Sequence, residues 1–163
     1  MNLEAVTSLF AHFPTDWIII VVLSIFIAFD ALRSGFGRVT ALALSLPATL
    51  FLAGSLSQAR ILSGVAGQFS TPLLKAVLFG IVFAAAYLLV RRMAPSYATG
   101  SGEVIQALLA GVAGTITLVV VWLLVPELQS IWHFGSQVQA VFGEAYRFWW
   151  IVGSYAVLGF ARS

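Results

Sequence analysis

The chain contains no cysteine and very little charge. The missing cysteine excludes disulfides, thiolate nucleophiles and zinc–thiolate sites. Charged residues make up 9% of the 163 positions, against about 25% in an ordinary soluble domain. A water-facing surface could not be assembled from so few. The eight Lys and Arg are dispersed at segment ends and form no patch that could grip nucleic acid. Motifs for chemistry are missing as well. Neither His12 nor His133 has a second ligand at i+3 or i+4, and no Gly-x-Ser-x-Gly, Ser-x-x-Lys or His-Glu-x-x-His occurs. Gly35-Phe36-Gly37 lacks the third glycine and the βαβ setting of a dinucleotide loop. The six acids are scattered, so spacing suggests no carboxylate pair. The expectation is a protein that is not an enzyme and holds no cofactor or metal.

What is present is hydrophobic. Apolar residues make up 61% of the chain and the mean hydropathy is +1.02. Four long runs, residues 17–32, 39–56, 73–90 and 104–125, predict four membrane spans. The fold class expected is all-α: a polytopic membrane protein with four transmembrane helices plus short interfacial amphipathic helices. Residues 1–126 form the four-span domain and residues 127–163 an aromatic interfacial tail. The first run is read as a retained anchor, because its leader carries Glu4 and Asp16 but no Lys or Arg, unlike a secretory signal.

Leu3, Val6, Phe10 and Phe13 recur at helical spacing ahead of Pro14, the pattern of a surface helix. Asp16, with Thr15, can cap the first span. That span is short, 16 residues or about 24 Å. It leads into the charged turn Asp30-Ala-Leu-Arg-Ser-Gly-Phe-Gly-Arg38, where Gly35 and Gly37 let the chain reverse and Arg33 and Arg38 lie among headgroups. Asp30 is expected to pair with Arg33 at i+3.

Pro47 falls mid-span, removes a backbone bond to Ala43 and predicts a kink. The small and hydroxylated residues around it suggest that the second span is central. A second surface helix is expected over 57–72, a helix start at Thr71-Pro72, and a loop over 93–102. Gly80 and Ala84 offer a small-residue contact face on the third span. On the fourth, Ala107, Gly111 and Thr115, with Ala110 and Gly114, offer two more. Glu103 favours the dipole of the fourth helix. In the tail, residues 148–160 are apolar but too short to span, and the many aromatics suit headgroup depth. Helices there could break at Gly135 or Gly153, and Glu144 can pair with Arg147.

Arginines near span ends (Arg33, Arg38, Arg91 and Arg92) place the first and third loops in the cytoplasm by the positive-inside rule, with both termini outside.

Asp16 ahead of an apolar run, then Leu32-Arg-Ser-Gly-Phe-Gly-Arg38, then a helix rich in Ala and Leu, and finally Glu103 before Ala107-Leu-Leu-Ala-Gly111-Val-Ala-Gly114, resembles the CvpA (colicin V production) family over about residues 15–125. The arginine often found between that family's glycines is absent, its interval being filled by Val112 and Ala113. The resemblance implies a bacterial inner-membrane protein with four spans, linked to export of a peptide toxin and to envelope maintenance. Three readings follow: a non-enzymatic scaffold of this type, a small oligomeric channel or transporter built around Pro47, or an accessory subunit docking through its tail. The partners expected are the lipid bilayer and either a second copy or another membrane protein.

Overall fold

A computed structural model of the chain describes residues 15–56, 71–93 and 104–161. The surface helices expected over 1–13 and 57–72 fall outside these residues except for Thr71 and Pro72. So do the loop over 93–102 (apart from Met93), His12 and Glu103. Every regular element among the described residues is an α-helix.

Four are long: α1 (Thr15–Ser34), α2 (Phe36–Leu56), α3 (Pro72–Met93) and α4 (Val104–Leu124). After them come α5 (Pro126–Gln129), α6 (Ser136–Val141) and α7 (Arg147–Ala161). All four long helices are long and apolar enough to cross a membrane. α1 has 20 residues, about 30 Å, which removes the shortfall of the 16-residue apolar run. The extra length comes equally from both ends, because Thr15 and Asp16 open the helix and Arg33 and Ser34 continue it.

The outer surface matches lipid and not water. Val22, Ile25, Phe26 and Phe29 on α1, and Leu73, Ile81, Leu88 and Leu89 on α3, are each more than half exposed. Apolar area on that scale is stable only against hydrocarbon.

The centre of the bundle is α4. In its most apolar stretch 61% of residues are buried, against 33% in α2 and 17% in α3. The sequence pointed to α2 because of its proline and hydroxyls, but small residues decide the matter. Ala107, Ala110, Gly111, Ala113 and Gly114 let α1, α2 and α7 all approach α4. α3 lies outside this group, packed on α2 and touching α5.

α7 departs most from expectation. It is one continuous helix through Gly153, and it does not lie as a surface layer. Trp150 and Ile151 pack with Ile20, Val119 and Val120, at the end of the bundle where α1 begins and α4 ends. Leu158 and Ala161 pack with Ala31, Phe36 and Ala107, at the opposite end. α7 therefore runs antiparallel to α4 through most of its depth. Its 15 residues extend about 22 Å, and the face carrying Ser154, Leu158 and Ala161 is buried. A length rule keyed to lipid-exposed spans passes over a short helix sheltered by its neighbours. Thr15 and Ala161 consequently lie at opposite ends of the bundle, where both chain ends had been expected on one face.

Candidate functional site

At the turn, α1 ends at Ser34 and α2 begins at Phe36. Gly35 alone makes the reversal, with φ of 82° and its N–H donating to the Ala31 carbonyl at 2.9 Å. A left-handed residue just past a helix end strongly favours glycine. Gly37, expected to share this task, is helical and exposed, and a Cβ there would meet nothing within 4 Å.

The tight turn lays the start of α2 over the end of α1. Asp30 therefore pairs with Arg38 at 3.2 Å and not with the expected Arg33. The Ser34 hydroxyl donates to the same carboxylate oxygen at 3.1 Å. Both charged side chains are about two-fifths exposed, so the pair contributes a fraction of a kcal/mol and mainly fixes the local geometry. Arg33 is exposed beside it.

Asp16, at the opposite end, does more than open α1. Its Oδ2 accepts a hydrogen bond from the backbone N–H of Gly135, 119 residues away. Glycine permits the approach, since a Cβ at Gly135 would lie 2.9 Å from that oxygen. Gly135 also caps α6, so this contact ties the start of α1 to the connection between α4 and α7. Glu144 pairs with Arg147 at 3.9 Å, as its spacing suggested.

The packing residues divide into two sets. Gly111 faces α1 so closely that a Cβ there would lie 2.5 Å from the Ser24 carbonyl oxygen. Gly114 faces Val39 and Ile27, with a Cβ 3.1 and 3.3 Å from their methyl groups. Gly80 and Ala84 are exposed on the outer side of α3, and a Cβ at Gly80 meets nothing within 4 Å. Their small-residue face is turned away from the bundle.

Hydroxyl groups inside the bundle are committed to their own helices. Ser45, Thr49, Thr115 and Thr117 donate to the carbonyls of Leu42, Ser45, Gly111 and Ala113 at 2.7–3.0 Å. Among the described residues no buried side-chain polar atom lacks a partner. The carbonyl orphaned by Pro47 is that of Ala43, and Tyr155 on α7 donates to it at 3.0 Å. The donor is thus a hydroxyl 112 residues away, on another helix.

A cavity of about 400 Å³ lies between α2, α3 and the α4–α5 corner at the Thr15 end. Leu50, Ala53, Leu78, Phe79 and Leu124 form apolar walls, and Lys75 and Glu127 stand at it. Neither charged residue was singled out from sequence as part of a site; only the fold brings the first turns of α3 and α5 together. His133 is exposed, its Nδ1 3.4 Å from the Gln129 carbonyl. Among the described residues no group of His, Asp and Glu is placed to hold a metal ion.

Among the described residues, charge is unevenly shared between the two ends. The turn end carries Arg33, Arg38, Arg91 and Arg92 against Asp30. The other end carries Lys75 and Arg147 against Asp16, Glu127 and Glu144. No known protein family, curated protein or solved structure matches the chain.

Proposed function

We propose that this protein is a non-enzymatic, multi-pass component of a bacterial inner membrane, of the CvpA type, that joins an export or envelope-maintenance assembly as a scaffold. The observation that carries this reading is the contrast between a closed interior and an open flank. Inside, each buried hydroxyl donates to a helix carbonyl, which leaves few donors for a solute passing through. Outside, α3 packs mainly on α2 among the described residues and presents an apolar face with Gly80 and Ala84, where another helix could come close.

A cysteine-free chain makes the test direct. Gly80→Cys is expected to form an oxidative crosslink in native membranes, to a second copy or to another membrane protein. Gly80→Leu is expected to weaken that association without lowering the yield of folded protein. Selective solute flux through liposomes holding the purified protein, lost on Thr49→Ala, would replace the scaffold reading with the channel.

The basic excess supports a turn end facing the cytoplasm. On this orientation Thr15 faces the periplasm and Ala161 the cytoplasm, which replaces the expectation of two periplasmic termini. Changing Arg33 and Arg38 together to glutamate is expected to scramble topology and reduce abundance. Labelling of single cysteines introduced at Leu32 and Leu128 reports it. Identical one-sided labelling of parent and variant would contradict a topology set by these arginines.

A further inference from the structure

The cavity at the Thr15 end has apolar walls and a mouth that holds one cation and one anion. Lys75 Nζ and Glu127 Oε1 stand 3.9 Å apart, beyond the reach of a hydrogen bond. Their side chains are 51% and 30% exposed, so each keeps capacity for another partner. Both open a helix after a proline-marked break: Lys75 is in the first turn of α3, and Glu127 directly follows Pro126. This mouth lies at the end of the spans, at the depth of lipid headgroups, while Leu50, Ala53, Leu78 and Phe79 extend the cavity toward the hydrocarbon.

The geometry points to a binding site for one zwitterionic phospholipid of the phosphoethanolamine class. Its phosphate accepts from the Lys75 ammonium, its primary ammonium donates to the Glu127 carboxylate, and one acyl chain occupies the apolar cavity. Charge complementarity selects this occupant. An anionic headgroup satisfies Lys75 but leaves Glu127 facing negative charge. A choline headgroup has a cation with no N–H to donate. The volume of about 400 Å³ falls within the range of small-ligand sites, about 300–1,000 Å³. Left to water, the apolar walls would forgo the burial that an acyl chain provides.

Native mass spectrometry of the full-length protein tests the site, after delipidation in mild detergent and titration with phosphatidylethanolamine, phosphatidylglycerol or phosphatidylcholine. One phosphatidylethanolamine is expected to bind with about tenfold preference over either alternative, the scale of one charge-assisted hydrogen bond. Gly54→Phe should abolish binding by filling the cavity, and a Cβ at Gly54 meets nothing within 4 Å, so thermal unfolding should match the parent. Glu127→Lys should switch the preference to phosphatidylglycerol. Exchanging the two, Lys75→Glu with Glu127→Lys, should restore phosphatidylethanolamine. Equal retention of all three lipids, or unchanged binding in a folded Gly54→Phe variant, would overturn the assignment.

Discussion

Replacing Gly111 by alanine is expected to destabilise the protein by about 3 kcal/mol, although only one methyl group is added. The new Cβ would lie 2.5 Å from the Ser24 carbonyl oxygen, 2.7 Å from the Ala28 Cβ and 2.8 Å from the Ala28 nitrogen. Two of these are backbone atoms, which cannot rotate aside as a side-chain tip can. Relief requires α1 and α4 to separate, and theirs is the most extensive helix contact in the bundle. Separation would loosen Ile27 and Ala31 from Ala107 and Ala110 in the same cluster. Overpacking commonly costs about 1–3 kcal/mol, and a clash with backbone belongs at the upper end.

Two other glycines grade the effect. At Gly114 the added methyl meets the ends of Val39 and Ile27 at 3.1 and 3.3 Å, so a smaller loss is expected. Gly80→Ala meets nothing within 4 Å and should unfold like the parent. The measurement is thermal unfolding of the three variants in detergent, read by intrinsic tryptophan fluorescence. An equal response from all three would refute the close approach of α1 to α4.

The spans were legible because hydropathy and length together report burial in lipid, and that property needs no knowledge of neighbours. The start of α3 at Thr71-Pro72, the role of Gly111 and Gly114, and the Glu144–Arg147 pair are local signals of the same kind. What stayed hidden depends on which helix lies beside which. Asp30 was assigned to Arg33 because spacing on one helix is readable. Arg38 takes its place only because a single residue, Gly35, separates two helices. Gly80 and Ala84 carry the same small-residue signal as Gly111 and Gly114 but face outward, and spacing cannot tell an internal contact from an external one. The centrality of α4 followed from its density of small residues, a signal that Pro47 on α2 outweighed. α7 was read as a surface layer because its apolar stretch falls short of a span and is rich in aromatics. Yet the rings of Phe142 and Trp150 meet at a tilt with centroids 5.2 Å apart, in the cluster that holds Ile20 and Val119, and Trp150 donates to the Val141 carbonyl at 2.9 Å.

Tyr155→Phe is expected to destabilise the protein by about 1–3 kcal/mol, the cost of leaving a buried carbonyl without a donor. The cause lies on another helix. Proline at position 47 has no N–H, so the carbonyl of Ala43 loses its partner within α2. No water is available to replace that partner at the depth of a lipid-embedded bundle. Tyr155 supplies it at 3.0 Å, and in doing so fastens α7 to α2. Phenylalanine keeps the ring that packs against the core cluster, so the change removes the hydroxyl and little else. Pro47→Ala separates this account from a general intolerance at either position. Alanine restores an N–H that can donate to the Ala43 carbonyl, and the tyrosine hydroxyl then becomes dispensable. In that background Tyr155→Phe should cost less, with a coupling of about 1–2 kcal/mol between the two sites. The four unfolding free energies that close the cycle can be measured in mixed micelles. If the two substitutions simply add, the hydroxyl is not serving the carbonyl that proline left unpaired. If they couple, Pro47 in α2 and the short, sheltered helix α7 are one structural device, in which one helix supplies the donor that a proline on the other removes.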